Sequence, residues 1–335
     1  MNFFFSRKQA DFPADGQPSR RRRRVAVVLG AGAARGWAHI GVMRELNAIG
    51  LKPDIVVGAS IGAVIGGCYA GGTLDGIEQF ARSLTRRKVF GLIDLSFSGG
   101  GMIGGERLRE RLESAMGDTR IEDLPVHFAA VATEIGTGHE IWLTKGRVVD
   151  AIRASYALPG VFEPVKLGGR WLFDGAIVNP IPISVARAMG ADTVIAVSIV
   201  GDGAGHGASI PGDDEAPPVG EPAARPAAQP GKGLLSSFRH GAASSLRRQW
   251  GNGRGPDAPG LATVMVNAFN ITQDRITRAR LAGDPPDAMV TIKVGQIGIF
   301  EFHRAAELIA LGREAVRRAH ADIGAVAELE AAGGG

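Results

Sequence analysis

Between the apolar run Ile55-Val56-Val57 and a helix-compatible stretch from Ile61 to Ala70 lies Gly58-Ala59-Ser60-Ile61-Gly62. A strand that turns directly into a helix leaves no room for side chains flanking the turn. Glycine therefore stands at Gly58 and Gly62, and the serine between them is pushed outward. Such a Ser60 also sits at a helix N-terminus, where free N–H groups and the helix dipole favour a developing negative charge. The pentapeptide alone describes either an ordinary tight turn or a nucleophile elbow. Its surroundings decide how much weight it bears.

The segment upstream supplies the first of these surroundings. Val25 to Leu29 is a continuous apolar run ended by glycine, the pattern of a buried parallel strand. The loop Gly30-Ala31-Gly32-Ala33-Ala34-Arg35-Gly36 follows, and Trp37 to Ile49 reads as a helix. A βαβα opening of this kind implies a parallel sheet with right-handed crossovers. The loop invites a dinucleotide reading, but G-x-G-x-x-G needs glycine where Arg35 stands. The acidic residue in range, Asp54, precedes the second strand instead of ending it. A loop rich in backbone N–H groups has another use, which is to aim amides at an oxyanion formed near Ser60. A plain strand–helix turn with no ligand is the third reading, and it stays open at this point.

Downstream, helices are expected over Asp75–Thr85, Glu106–Met116, Val148–Tyr156, Ser184–Met189, Leu261–Leu281 and Phe300–His320. Strands are expected over Val126–Thr133, Glu140–Thr144, Thr193–Ile199 and Ala288–Val294, with a hairpin of Val165–Leu167 and Arg170–Phe173 through Gly168-Gly169. That hairpin delivers Asp174-Gly175-Ala176. An aspartate at such a corner is a turn-former or a carboxylate facing a cleft. Ser98 to Gly105 is glycine-rich enough to form a lid or mouth loop.

Composition bounds the function. A hydrophobic content of 45% supports a substantial core. Net charge is +4, but Arg20 to Arg24 supply five positive charges, and subtracting them leaves the remainder at −1. The basic character belongs to a tail, which argues against nucleic-acid binding. Cys68 is the single cysteine, so no intrachain disulfide forms and a reducing, cytoplasmic setting suits the chain. No stretch approaches the ~18 uninterrupted apolar residues of a membrane span. Phe3-Phe4-Phe5 before Arg7-Lys8 is too short for a signal peptide. Residues 1–24 read as a disordered basic extension, with a contact to a membrane surface as the alternative. Residues 201–260 hold 8 of the 18 prolines and read as a low-complexity insertion within one domain spanning 25–322. Inside the insertion, 232–250 has the makings of a basic amphipathic helix that lies on a membrane or docks on the domain. Residues 323–335 are expected to be a flexible end. No histidine or cysteine pairs occur at metal-ligand spacing, and neither metal nor cofactor is expected.

Taken in order, these motifs resemble the patatin-like phospholipase family over about Val25 to Asp322. The Gly30–Gly36 loop is similar to its oxyanion loop, with Ala31 where glycine is more usual. Gly58–Gly62 is similar to its elbow. Ala154-Ser155-Tyr156-Ala157-Leu158-Pro159-Gly160-Val161-Phe162 resembles the segment before its aspartate strand, and Asp174-Gly175-Ala176 matches its D-G-[GA]. The resemblance implies a three-layer α/β/α sandwich with a mainly parallel sheet and a Ser–Asp dyad without histidine. Ser60 would be the nucleophile, Asp174 the base, and amides from about Gly32 and Ala33 the oxyanion donors. It implies hydrolysis of carboxylic esters, commonly phospholipid or lysophospholipid acyl chains. Two alternatives remain: an α/β-hydrolase order filled by Ser60, Asp174 and His303, and a catalytically idle membrane-associated protein on the same fold. His39, just past the loop, is expected to pack near the site.

Overall fold

The computed structural model describes residues 22–86, 103–159, 161–201 and 261–327. The tail up to Arg21, the Ser98–Met102 part of the expected lid loop, residues 202–260 with the amphipathic stretch 232–250, and residues 328–335 lie outside the described residues.

In chain order the elements are β1 (Val25–Leu29), a 3-10 turn (Ala33–Trp37), α1 (Ala38–Ala48), β2 (Ile55–Ala59), α2 (Ile61–Ala70), α3 (Leu74–Ser83) and α4 (Ile103–Met116). Then come β3 (His127–Glu134), β4 (Glu140–Leu143), α5 (Val148–Tyr156), β5 (Val165–Leu167), β6 (Arg170–Asp174), α6 (Ile183–Ala188) and β7 (Thr193–Val200). The described chain resumes with α7 (Leu261–Gly283), β8 (Ala288–Lys293), α8 (Ala305–Arg318) and α9 (His320–Ala327). Two compact units divide the chain, one of Met1–Asp202 with Ile276–Gly335 and the other of Gly203–Arg275.

The strands form one sheet in the order β5-β6-β3-β2-β1-β7-β8, with β4 also paired to β3. The run from β3 to β8 is parallel, and β4, β5 and β6 join it antiparallel. Each central strand is apolar on both faces because both faces are covered. Val27 and Leu29 pack toward α1, α2, α5 and α8, whereas Ala26 and Val28 pack toward Ile181 and α6. The architecture is the expected α/β/α sandwich with a mostly parallel sheet.

One packing detail explains two glycines. A Cβ on Gly41 of α1 would lie 1.9 Å from the Ile309 carbonyl oxygen, and one on Gly312 of α8 would lie 2.0 Å from that of Ala38. The two helices therefore cross at backbone contact, and only glycine fits at the crossing. Glu45, buried on α1, accepts from Arg317 at 2.6 Å across the same interface.

The chain's end departs from expectation. Phe300–His320 is not one helix: a 3-10 turn at Phe302–Arg304 precedes α8, and α9 follows as a separate helix. α9 runs past Asp322 to Ala327, and Ile323 on it is completely buried in the core. Ile103–Gly105, expected as loop, opens α4. No helix among the described residues is long and apolar enough to cross a membrane.

The register of β3 determines what meets what. Val131 pairs with Ala59, the last residue of β2, and Ala132 pairs with Asp174, the last residue of β6. Both Val131 and Ala132 also pair with β4, through Trp142 and Ile141. Since a strand has only two edges, β2 and β6 must share one edge of β3 in succession. The chain leaving β2 and the chain leaving β6 are thereby brought end to end.

Candidate active site

Ser60 follows β2 without a connecting loop, at φ 56° and ψ −125°. Among the described residues other than glycine, positive φ occurs only there and at Ala33 (φ 48°). Strain of this kind, about 1–3 kcal/mol, persists only where neighbours impose it. The neighbours are visible here. A Cβ on Gly58 would lie 2.4 Å from the Ala63 nitrogen, and one on Gly62 would lie 2.1 Å from the Leu29 oxygen. The Ser60 N–H donates to Ser155 Oγ at 3.0 Å, and the Ser155 hydroxyl donates to the Val131 carbonyl at 2.6 Å. Ser155 is fully buried, so this bridge ties the elbow to β3 without help from water. The motif Ala154–Phe162 contains Ser155 but assigns it no role. Its signal was a lone hydroxyl in the last turn of an otherwise apolar helix face.

Asp174 stands opposite. Ser60 Oγ–H donates to its Oδ2 at 2.7 Å, and the Ala176 amide donates to its Oδ1 at 2.8 Å. Its backbone is held as firmly: its N–H donates to the Ala157 carbonyl at 3.0 Å, and its carbonyl accepts from Thr133 Oγ1 at 2.9 Å. Gly175 is required by the tightness of this corner, since a Cβ there would lie 2.1 Å from the Val131 oxygen. Asp174 is only 2% exposed. Burial pushes its carboxyl up from 3.8 to about 6, against the opposing hydrogen bonds from Ser60 and Ala176. Neither hydrogen bond to its carboxylate comes from a histidine. His303 lies in the 3-10 turn before α8 and makes no hydrogen bond to Ser60 or Asp174.

The glycine loop lies along the other side of the elbow. A Cβ on Gly36 would meet Ile61 at 2.0 Å, so the loop can press against the start of α2 only with glycine there. The amides of Gly30, Ala31, Ala34 and Arg35 donate to Val197, Pro180, Ile299 and Gly32 carbonyls respectively. The amides of Gly32 and Ala33 donate to nothing among the described residues. Ala31 has no positive φ, so the alanine is accommodated without strain. The Arg35 guanidinium is directed away, donating to the Ile297 carbonyl at 2.6 Å. His39 is completely buried and donates from Nε2 to the Gly30 carbonyl at 2.7 Å. Burial lowers its ring to about 4, which makes it a neutral donor holding the loop. Asp54, the candidate of the dinucleotide reading, accepts from the Val25 amide at 2.9 Å.

Fold and site together define an α/β protein with a strained serine elbow, a buried carboxylate bonded to that serine, and a loop of open amides. The comparisons with known proteins agree. Residues 27–187 match the family model described as patatin-like phospholipase. An NTE family protein of Mycobacterium tuberculosis is 35% identical over 326 residues, covering 87% of this chain and 89% of that protein. The chain belongs to the patatin-like phospholipase family. Lysophospholipase nte1 of Emericella nidulans is 32% identical over 199 residues, which is 57% of this chain and 13% of that protein. Human patatin-like phospholipase domain-containing protein 6 is 34% identical over 182 residues, 52% of this chain and 13% of that one. VipD from Legionella pneumophila is a distant structural neighbour, with a TM-score of 0.42 and 13% identity over 89% of this chain and 66% of that one.

Proposed function

We propose that the protein hydrolyses the carboxylic esters of lipid acyl chains, with lysophospholipids and phospholipids as the substrate class, through a Ser60–Asp174 dyad. The observation that carries the reading is the 2.7 Å hydrogen bond from Ser60 Oγ to a carboxylate buried beside it. Family membership supports lipid hydrolysis, and the name of the nte1 relative supports lysophospholipids within it.

A serine hydroxyl is a weak nucleophile and needs an adjacent base. An ordinary carboxylate is a weak base, but one raised to about 6 is much better matched to neutral pH. Ser60 Oγ attacks the ester carbonyl as its proton passes to Asp174 Oδ2. The Gly32 and Ala33 amides receive the oxyanion, a contribution of about 3–4 kcal/mol per donor where such donors have been removed. Collapse of the intermediate breaks the ester C–O bond, and Asp174 returns the proton to the departing alcohol. Water, deprotonated by Asp174, then attacks the acyl-serine, and the acid leaves with Ser60 restored.

A panel of short soluble esters, phospholipids and lysophospholipids, compared between wild type and Ser60→Ala, tests the activity. Full turnover in Asp174→Asn would sink the dyad. Failure of a fluorophosphonate to label Ser60 in folded protein would favour an idle fold.

A further inference from the structure

Among the described residues, the large apolar side chains left exposed are Ile135, Trp142, Trp171 and Ile271. The first three share one face of the sheet. Successive residues of a strand alternate between faces, so Val131, Thr133 and Ile135 point the same way. Trp142 pairs with Val131, and Phe173 pairs with Thr133. The Ile135 amide donates to the Trp171 carbonyl at 2.8 Å, continuing that register by one more row. Trp171 in turn pairs with Lys166. Ile135, Trp171 and Lys166 thus form an outer row, and Trp142 lies on the same face two rows nearer the parallel strands.

Position and charge distinguish this patch from scattered surface apolar groups. β3 runs parallel to β2 and continues three residues past its pairing with Ala59, to Glu134; Ile135 follows as the fourth, about 13 Å along at ~3.3 Å per residue. The patch therefore projects from the end of the sheet that carries Ser60, and Trp171 precedes Asp174 by three residues on β6. Exposure is high, at 44% for Ile135, 44% for Trp142 and 51% for Trp171. The nearby carboxylates are each held by an arginine, Glu134 by Arg170 at 3.2 Å and Glu140 by Arg280 at 3.3 Å. Lys166 has its Nζ 5.6 Å from the Trp171 ring centroid and makes no ion pair among the described residues. The row thus presents an aromatic ring and an aliphatic side chain capped by an uncompensated positive charge. Tryptophan and lysine together suit the headgroup layer of a membrane, where the ring buries its apolar body and the ammonium meets anionic groups.

We propose that Ile135, Trp171, Trp142 and Lys166 form a docking face that seats the protein on a bilayer containing anionic lipid. The inference builds on the lipid-ester reading, since it holds the serine site beside its substrate's own surface. The test is co-sedimentation of the full chain with vesicles of phosphatidylcholine and phosphatidylglycerol, alongside turnover of a short soluble ester. The Ile135→Ser/Trp171→Ser pair should bind these vesicles about tenfold more weakly, with soluble-ester turnover and melting temperature unchanged. Trp171→Phe should retain most of the binding. Lys166→Glu, a surface change that the fold tolerates, should lose binding to the mixed vesicles and leave the weaker binding to pure phosphatidylcholine unaltered. Unchanged binding in both the Ser pair and Lys166→Glu overturns the proposal. So does a result in which the Ser pair breaks a dimer of the chain while vesicle binding persists. Vesicle binding by Ser60→Ala reads the surface independently of hydrolysis, so failure of the docking face and failure of the esterase reading are separable.

Discussion

Replacing Asp174 with asparagine should abolish ester turnover and, above about pH 6, make the protein more stable. Burial moves the Asp174 carboxyl from 3.8 to about 6, so the fold prefers its protonated form. That preference stabilises the native state fully below pH 3.8, fades as pH rises, and is gone above about 6. At about 1.4 kcal/mol per pH unit, the interval corresponds to roughly 3 kcal/mol carried as a burden by the wild type at neutral pH. Asparagine never ionises and is spared it. The amide has one acceptor oxygen where the carboxylate has two, so one of the bonds from Ser60 and Ala176 is lost, at about 1 kcal/mol. The net expectation is a gain of about 2 kcal/mol, or roughly 4–8 °C in melting temperature for a domain of this size. Thermal melts of both proteins at about pH 8 and about pH 4 check it, because the gap should be present at the first and closed or reversed at the second. An equal gap at both values, or none at either, would refute the argument that burial raises this carboxylate.

If Asp174 is the base of the proposed mechanism, kcat/KM on a soluble ester should rise with pH to a plateau, with an apparent midpoint near 6, and a midpoint near 4 would contradict it. Ser60→Gly and Ser60→Ala should both lose turnover and the bond to Asp174, but the glycine variant should be the more stable by about 1 kcal/mol, because glycine accepts φ 56° and alanine does not; urea unfolding separates the two variants. Ser155→Ala leaves the Ser60 amide and the Val131 carbonyl without their buried bridge. A loss of about 1–3 kcal/mol is expected, with kcat falling more than KM changes, because the elbow and not the substrate pocket is loosened.

Most of the fold is legible in the sequence because its strands are short apolar runs ended by glycine or polar turns. The helices α2 and α5 were expected at the bounds they have, Ile61–Ala70 and Val148–Tyr156. The C-terminal region was misread because the periodicity around Phe300–His320 continues across a 3-10 turn and a break at Ala319. Single-residue packing, such as that of Ile323, carries α9 past Asp322, and no local pattern reports it. At the site, glycine positions were readable since each marks a backbone approach. Which amides of the Gly30–Gly36 loop remain open was not readable in full. That depends on the carbonyls of Val197, Pro180 and Ile299, all distant in sequence. Ser155 escaped for the same reason: its two partners, Ser60 and Val131, lie 95 and 24 residues away.

The shared edge of β3 explains how Ser60 comes to bond a buried carboxylate directly. Ser60 and Asp174 are 114 residues apart, yet Ser60 directly follows the last residue of β2, Asp174 is the last residue of β6, and both strands end on the same neighbouring strand. Their separation is then fixed by the β ladder rather than by loops, and Val131 anchors both sides through Ser155 and the Gly175 corner. A histidine inserted between them would need a gap in that ladder. The absence of such a gap forces direct contact, and direct contact in a buried position raises the carboxylate toward the range where it can accept a proton. Geometry and basicity here have a single cause, so a substitution that loosens the ladder at Val131 should weaken both together.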